Sequence, residues 1–152
     1  MAFLRRPSTK NWVIVYIVFP LIPFLLGSLI RLITLSGRIY WDTFNASELS
    51  ICLALAAMLI NQCLLRSGRL LNTEEKQEDA AGEAMLYLFF GIIFIALFSV
   101  MVAFSICVNN LQVEELEIPL HGFQILIWIL MPVIIWYIMK TQKSFRLLTS
   151  II

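Results

Sequence analysis

The sequence predicts an all-α fold: a four-transmembrane-helix bundle of two hairpins, with cytoplasmic N- and C-termini and a short helical cytoplasmic connector. Three observations carry that expectation. Of 152 residues, 61% are hydrophobic and only 14% charged, against about 45–50% and about 25% in a soluble domain. So small a globule needs a polar coat, which makes the lipid bilayer the solvent for much of this surface. The apolar residues also gather into four segments, each long enough to cross a hydrocarbon core of about 30 Å at roughly 1.5 Å per residue. Finally, the one long charged interruption, residues 66–83, falls near the midpoint with two segments on either side. The whole chain, 1–152, reads as a single transmembrane domain.

The first span is expected over about 12–35. It is too long for a signal-peptide core, and no small-residue cleavage site follows it. Pro20 and Pro23 lie inside it; each removes a backbone donor and crowds the carbonyl four residues back, which predicts a kink near residues 16–23. Gly27 and Ser28 offer a close-packing spot for a neighbouring helix. A short loop over 36–45 follows, with Tyr40, Trp41 and Phe44 as interface anchors.

The second span is expected over about 46–65. Ser47, Ser50, Ala54, Ala57 and Asn61 recur at spacings of 3, 4, 3 and 4, so they share one helical face. Small side chains let backbones approach, and Asn61 adds a hydrogen-bonding group to the seam. Contact with another helix of the same chain is the first reading; a subunit interface or a pore lining are the others.

In the connector, Asn72-Thr73-Glu74-Glu75 has the form of a helix start, with Asn72 as N-cap and acids in the first turn. That helix is expected to run unbroken into the third span, about 84–108. There Gly91 and a second small-residue stripe, Ala96, Ser99 and Ala103, lie along the span. The second span is likewise expected to overrun the lipid toward Leu71, making the connector a short helical hairpin. It carries Arg66, Arg69, Glu74, Glu75, Lys76, Glu78, Asp79 and Glu83. It reads either as a solvated face or as a docking surface for a soluble partner.

An acidic loop with Glu114, Glu115 and Glu117 precedes the fourth span, expected over about 121–139, opened by Pro119 and kinked at Pro132. Trp136 and Tyr137 mark its far interface. The tail, 140–152, sets Lys140, Lys143 and Arg146 beside Phe145, Leu147 and Leu148, in the manner of an amphipathic piece lying on the membrane. Lys143 and Arg146 join the connector as candidate docking residues.

Orientation follows from charge. Nine of the 11 Lys and Arg residues fall in the N-terminus, connector and C-terminus, and only Arg31 and Arg38 fall on the other side. The positive-inside rule then puts both termini in the cytoplasm. Asn45-Ala46-Ser47 matches a glycosylation sequon of the kind common by chance.

Chemistry-bearing candidates are few. Arg31 lies roughly 29 Å along the first helix from Trp12, near its outer boundary, where a long side chain can snorkel to water. Glu48 sits at matching depth in the second span. Interfacial solvation of each is the first reading, and an Arg31–Glu48 intramembrane ion pair bracing the first hairpin is the second. Cys52, Cys63 and Cys107 have no CxxC spacing and read as packing residues. With one histidine, a metal cluster is not expected. No nucleophile–base pair, phosphate loop or acid pair occurs with loops long enough to house it, so neither an enzyme nor a cofactor is expected. A net charge of +1 gives no reason to expect direct nucleic-acid binding.

The layout resembles two kinds of small bacterial phage-exclusion membrane protein. One is the four-span membrane component of the Kiwa antiphage system; the other is the four-span RexB channel type of phage lambda. The resemblance covers the whole chain as architecture. It rests on a basic N-terminus before WVIVYIVFPLIPFLL, the Ser/Ala-rich SELSICLALAAMLINQ, the charged RSGRLLNTEEKQED and a basic tail. It supplies no matched functional residues. The Kiwa-type resemblance implies a homo-oligomeric sensor at the inner membrane that holds a cytosolic DNA-binding effector through its cytoplasmic faces. Three functions are therefore expected in order: a membrane sensor or anchor that docks a cytosolic protein, a homo-oligomeric ion pore that depolarises the membrane, and a structural subunit of a larger membrane complex.

Overall fold

The computed structural model describes residues 12–35, 37, 43–69 and 73–145. Every regular element among them is helical, and no strand occurs. A π-helical turn at Ile14–Val18 leads into α1, Phe19–Thr34; α2 is Ala46–Gly68; α3 is Glu74–Leu111; and a 3₁₀ turn at Glu114–Leu116 opens α4, Glu117–Phe145. Four stretches, Ile14–Thr34, Ala46–Gly68, Glu74–Leu111 and Glu114–Gln142, are long and apolar enough to cross a membrane. The chain is a multi-pass membrane protein with a lipid-facing surface. Ile33, Met85, Phe89 and Ile118 are among its many exposed large apolar side chains.

The prolines explain the start of the first helix. Pro20 has no N–H, and its ring would crowd the Tyr16 carbonyl in a regular α-helix. Instead the chain widens by one residue per turn, and the Phe19 N–H reaches back to the Ile14 carbonyl. A π-bulge is a usual way to seat such a defect in a helix that must keep its backbone bonded. Pro23 then sits within α1 without ending it.

The second helix is the centre of the bundle. It packs against α1, α3 and α4, and most closely against α3, with which it forms an antiparallel hairpin. Leu49, Leu53, Ile60 and Leu64 of α2 are fully buried with Trp12, Tyr87, Phe94, Met101, Ile127 and Ile138. Phe24 of α1 meets Trp128 of α4 edge to face at 6.0 Å between ring centres. Asn45 caps α2: its side-chain oxygen accepts from the Ser47 N–H at 2.9 Å and the Ser47 hydroxyl at 2.6 Å.

Four boundaries differ from the sequence-based expectation. Asn72 lies outside the described residues, and the N-cap position of α3 falls to Thr73, whose side chain makes no capping bond. The second helix stops at Gly68 rather than running to Leu71, with Arg69 as its C-cap; Gly is a poor helix propagator. Residues 140–145 continue α4 instead of starting a separate surface segment, because nothing between Met139 and Phe145 breaks a helix. At its other end α4 begins at Glu117, so Pro119 occupies the first turn, where its missing N–H costs nothing.

Candidate functional site

Among the described residues, the connector end of the bundle gathers most of the charge. From Thr73 to Asp79 every residue of the α3 entrance is exposed, which includes Glu74, Glu75, Lys76, Glu78 and Asp79. The two acids at the start of the helix complement its positive end. Arg66 and Arg69 are exposed at the end of α2. Arg66 lies within electrostatic range of Tyr16 and of Cys63, whose thiol contacts the Tyr16 hydroxyl. Among the tail residues named from the sequence, Lys143 lies in α4 without a described side chain, and Arg146 lies outside the described residues, as do Tyr40, Trp41 and Arg38.

Below this charged end the small-residue seam of α2 meets α3. Ser50, Ala54 and Ala57 are buried, with Ser47 and Asn61 half-buried. The Ser50 hydroxyl donates to the Phe94 carbonyl at 2.8 Å. Gly91 faces Ala54 so closely that a Cβ there would lie 3.6 Å from the Ala54 carbonyl oxygen and 3.3 Å from Met58 Cγ. The Asn61 amide donates to the Ala84 carbonyl. Where lipid replaces water, such close backbone approach and interhelical hydrogen bonding are what hold two helices together. The second stripe behaves differently: Ala96, Ser99 and Ala103 are exposed on the outer face of α3, and the Ser99 hydroxyl turns back to the Ile95 carbonyl of its own helix.

At the opposite end, Arg31 and Glu48 meet. Arg31 Nη1 donates to Glu48 Oε1 at 2.9 Å, Nη2 donates to Oε2, and Nε donates to the Thr43 carbonyl at 3.3 Å. The bidentate fork uses the geometry for which guanidinium and carboxylate are matched. Each charge also sits at the favourable end of its own helix, Glu48 in the first turn of α2 and Arg31 in the last turn of α1. Gly27 makes room for the pair. A Cβ on it would come within 2.9 Å of Glu48 Oε2 and 3.1 Å of Arg31 Nη2.

Several polar contacts have no sequence-level signal. The Tyr87 hydroxyl, fully buried, donates to Thr141 Oγ1 at 2.9 Å, and the Tyr137 hydroxyl donates to Glu83 at 2.8 Å. Both tie α3 to α4 at the connector end across 54 residues of chain. Lys140 Nζ lies 5.8 Å from the exposed Trp136 ring, a pairing suited to the lipid–water boundary. Clefts open at both ends of the bundle. One of about 180 Å³ is lined by Asn45, Ser47, Met101, Ser105 and Gln124 at the far end. The other, of about 230 Å³, is lined by Leu64, Leu65, Gly68, Arg69, Gln77 and Ala81 at the connector end. No group of three or more His, Cys, Asp or Glu side chains is placed to hold a metal ion among the described residues.

No known family model matches the chain, and no curated protein or solved structure matches it either.

Proposed function

We propose that the chain is a non-enzymatic membrane anchor or sensor subunit that presents its helical connector to a soluble cytosolic protein. The observation that carries this reading is the entrance of α3. Two helical turns, with four acids and one lysine over Glu74–Asp79, stand exposed on a helix whose continuation crosses the membrane. A rigid, solvated, charged helix end rooted in a buried hairpin holds its side chains in fixed relation to one another. Specific docking needs that preorganisation. The distribution of Lys and Arg favours the cytosol for this end, and a bacterial inner membrane is what the architectural resemblance implies. The architectural resemblance to Kiwa-type components extends the reading to antiphage defence, with a DNA-binding effector as the docked partner and several copies of this chain in the assembly. The interior of the single chain is filled by Leu53, Phe94 and Ile127, so an ion pore, the competing reading, would have to form between copies.

The test is charge reversal. Glu74→Lys, Glu75→Lys and Glu78→Lys together are expected to abolish co-purification of the soluble partner while membrane insertion and detergent-extracted yield stay unchanged. These residues are exposed, so their reversal costs about 0.3–1 kcal/mol for each of Glu74 and Glu75 at the helix end and leaves the buried seam untouched. Retention of the partner by the triple variant would reject the docking role.

A further inference from the structure

The cleft at the connector end has a chemistry of its own. Leu65 in the last turns of α2 and Ala81 of α3 are the exposed apolar wall, with Leu64 buried beneath it, and Arg69 stands at its polar end, about 6 Å beyond Leu65 along the helix axis. Gly68 closes the base: a Cβ there would lie 3.1 Å from Ala80 Cβ, so α2 and α3 touch and the space opens beside them. Gln77 and Ala81 supply the α3 side. Glu74, Gln77, Glu78 and Ala81 follow at spacings of 3, 1 and 3, which puts them on one helical face. The face that borders the cleft therefore also carries two exposed carboxylates. No ion pair joins Arg69 to Glu74 or Glu78 among the described residues, so both signs of charge remain for a ligand. Arg66 does not line the cleft, which leaves Arg69 as its cation.

An apolar wall ending in a guanidinium, at the level where the chain passes from apolar to charged, matches a phospholipid. The acyl chain lies on Leu65 and Ala81, and the phosphate is taken by Arg69. A free phosphate would gain nothing from the wall, and an apolar ligand nothing from the arginine. The carboxylates then discriminate among headgroups. They repel a net-anionic headgroup and accept hydrogen bonds from a primary ammonium, which a quaternary ammonium cannot donate. We propose that this cleft is a binding site for an ethanolamine phospholipid. The proposal needs only that the cleft lies at a membrane–water boundary, and it stands apart from the docking role.

The full-length chain is reconstituted in nanodiscs holding equal amounts of ethanolamine, choline and glycerol phospholipids with identical acyl chains. After extraction, the lipid that stays bound is identified by native mass spectrometry. The wild type is expected to retain the ethanolamine lipid several-fold over either of the others. Arg69→Gln is expected to lower total retained phospholipid about tenfold, and Arg69→Lys to restore part of it. Glu74→Gln with Glu78→Gln is expected to keep phosphate-dependent retention but equalise ethanolamine and choline lipids. Retained lipid of bulk composition on the wild type, or a preference for the glycerol lipid, would overturn the assignment. So would retention unchanged by Arg69→Gln. Because the wild-type composition decides by itself, the result does not depend on every variant folding.

Discussion

Gly27 makes room for the Arg31–Glu48 ion pair. Arg31 and Glu48 draw against the α1 backbone at a place where any side chain would intrude. Gly27→Ala replaces a poor helix former by the best one, worth up to about 1 kcal/mol in an exposed helix, yet here it is expected to destabilise the protein by about 1 kcal/mol. In a Glu48→Ala background, with the carboxylate gone, the same change is expected to be neutral or mildly stabilising. A double-mutant cycle read by denaturant unfolding in micelles measures that coupling. Additive losses would show that Gly27 serves something other than the pair. The matched depth of Arg31 and Glu48 was legible from sequence spacing alone. Two further points were not: Gly27 lies between them, and the Arg31 Nε reaches the Thr43 carbonyl. Both depend on how α1 rotates about its axis after the π-turn, and that rotation is set by Pro20 and by packing.

At the level of the helices, two small-residue stripes that look alike in sequence have different fates. Ser50, Ala54 and Asn61 enter the α2–α3 contact, whereas Ala96, Ser99 and Ala103 stay on the outer face. A small side chain permits a close neighbour without naming one, so periodicity reveals the seam but not its partner. In lipid an interhelical hydrogen bond contributes about 0.6 kcal/mol on average, with measured values up to about 1.7. Ser50→Ala and Asn61→Leu are each expected to cost within that range. Gly91→Leu is expected to cost more than about 2 kcal/mol, because it drives a branched side chain into Met58 and the Ala54 backbone. Ala96→Leu is expected to leave monomer stability within about 0.5 kcal/mol. Titration of helicity with a denaturing detergent ranks the four; a large loss from Ala96→Leu would mean that the outer stripe is packed within one chain.

For the molecule as a whole, the charge pattern and the four apolar segments were enough to read an all-helical membrane bundle. The Tyr87–Thr141 and Tyr137–Glu83 contacts were not readable, since no periodic or spacing rule links residues 54 positions apart. A membrane-crossing α3 puts Lys76 and Glu114 on opposite faces of the bilayer, whichever compartment is which. With Cys52, Cys63 and Cys107 replaced by Ala, a cysteine at position 76 and one at position 114 are expected to react with an impermeant maleimide from opposite sides of sealed vesicles. Labelling of both from one side would refute the transmembrane course of α3. That helix has 38 residues and contains no proline, so it extends about 57 Å where the hydrocarbon is only about 30 Å thick. That strut is bonded to its neighbours: the Ser50 hydroxyl and Asn61 amide of α2 donate to its carbonyls, and Tyr87 and Glu83 tie it to α4. Whatever pulls on Glu75 therefore loads α2 and α4 together with α3.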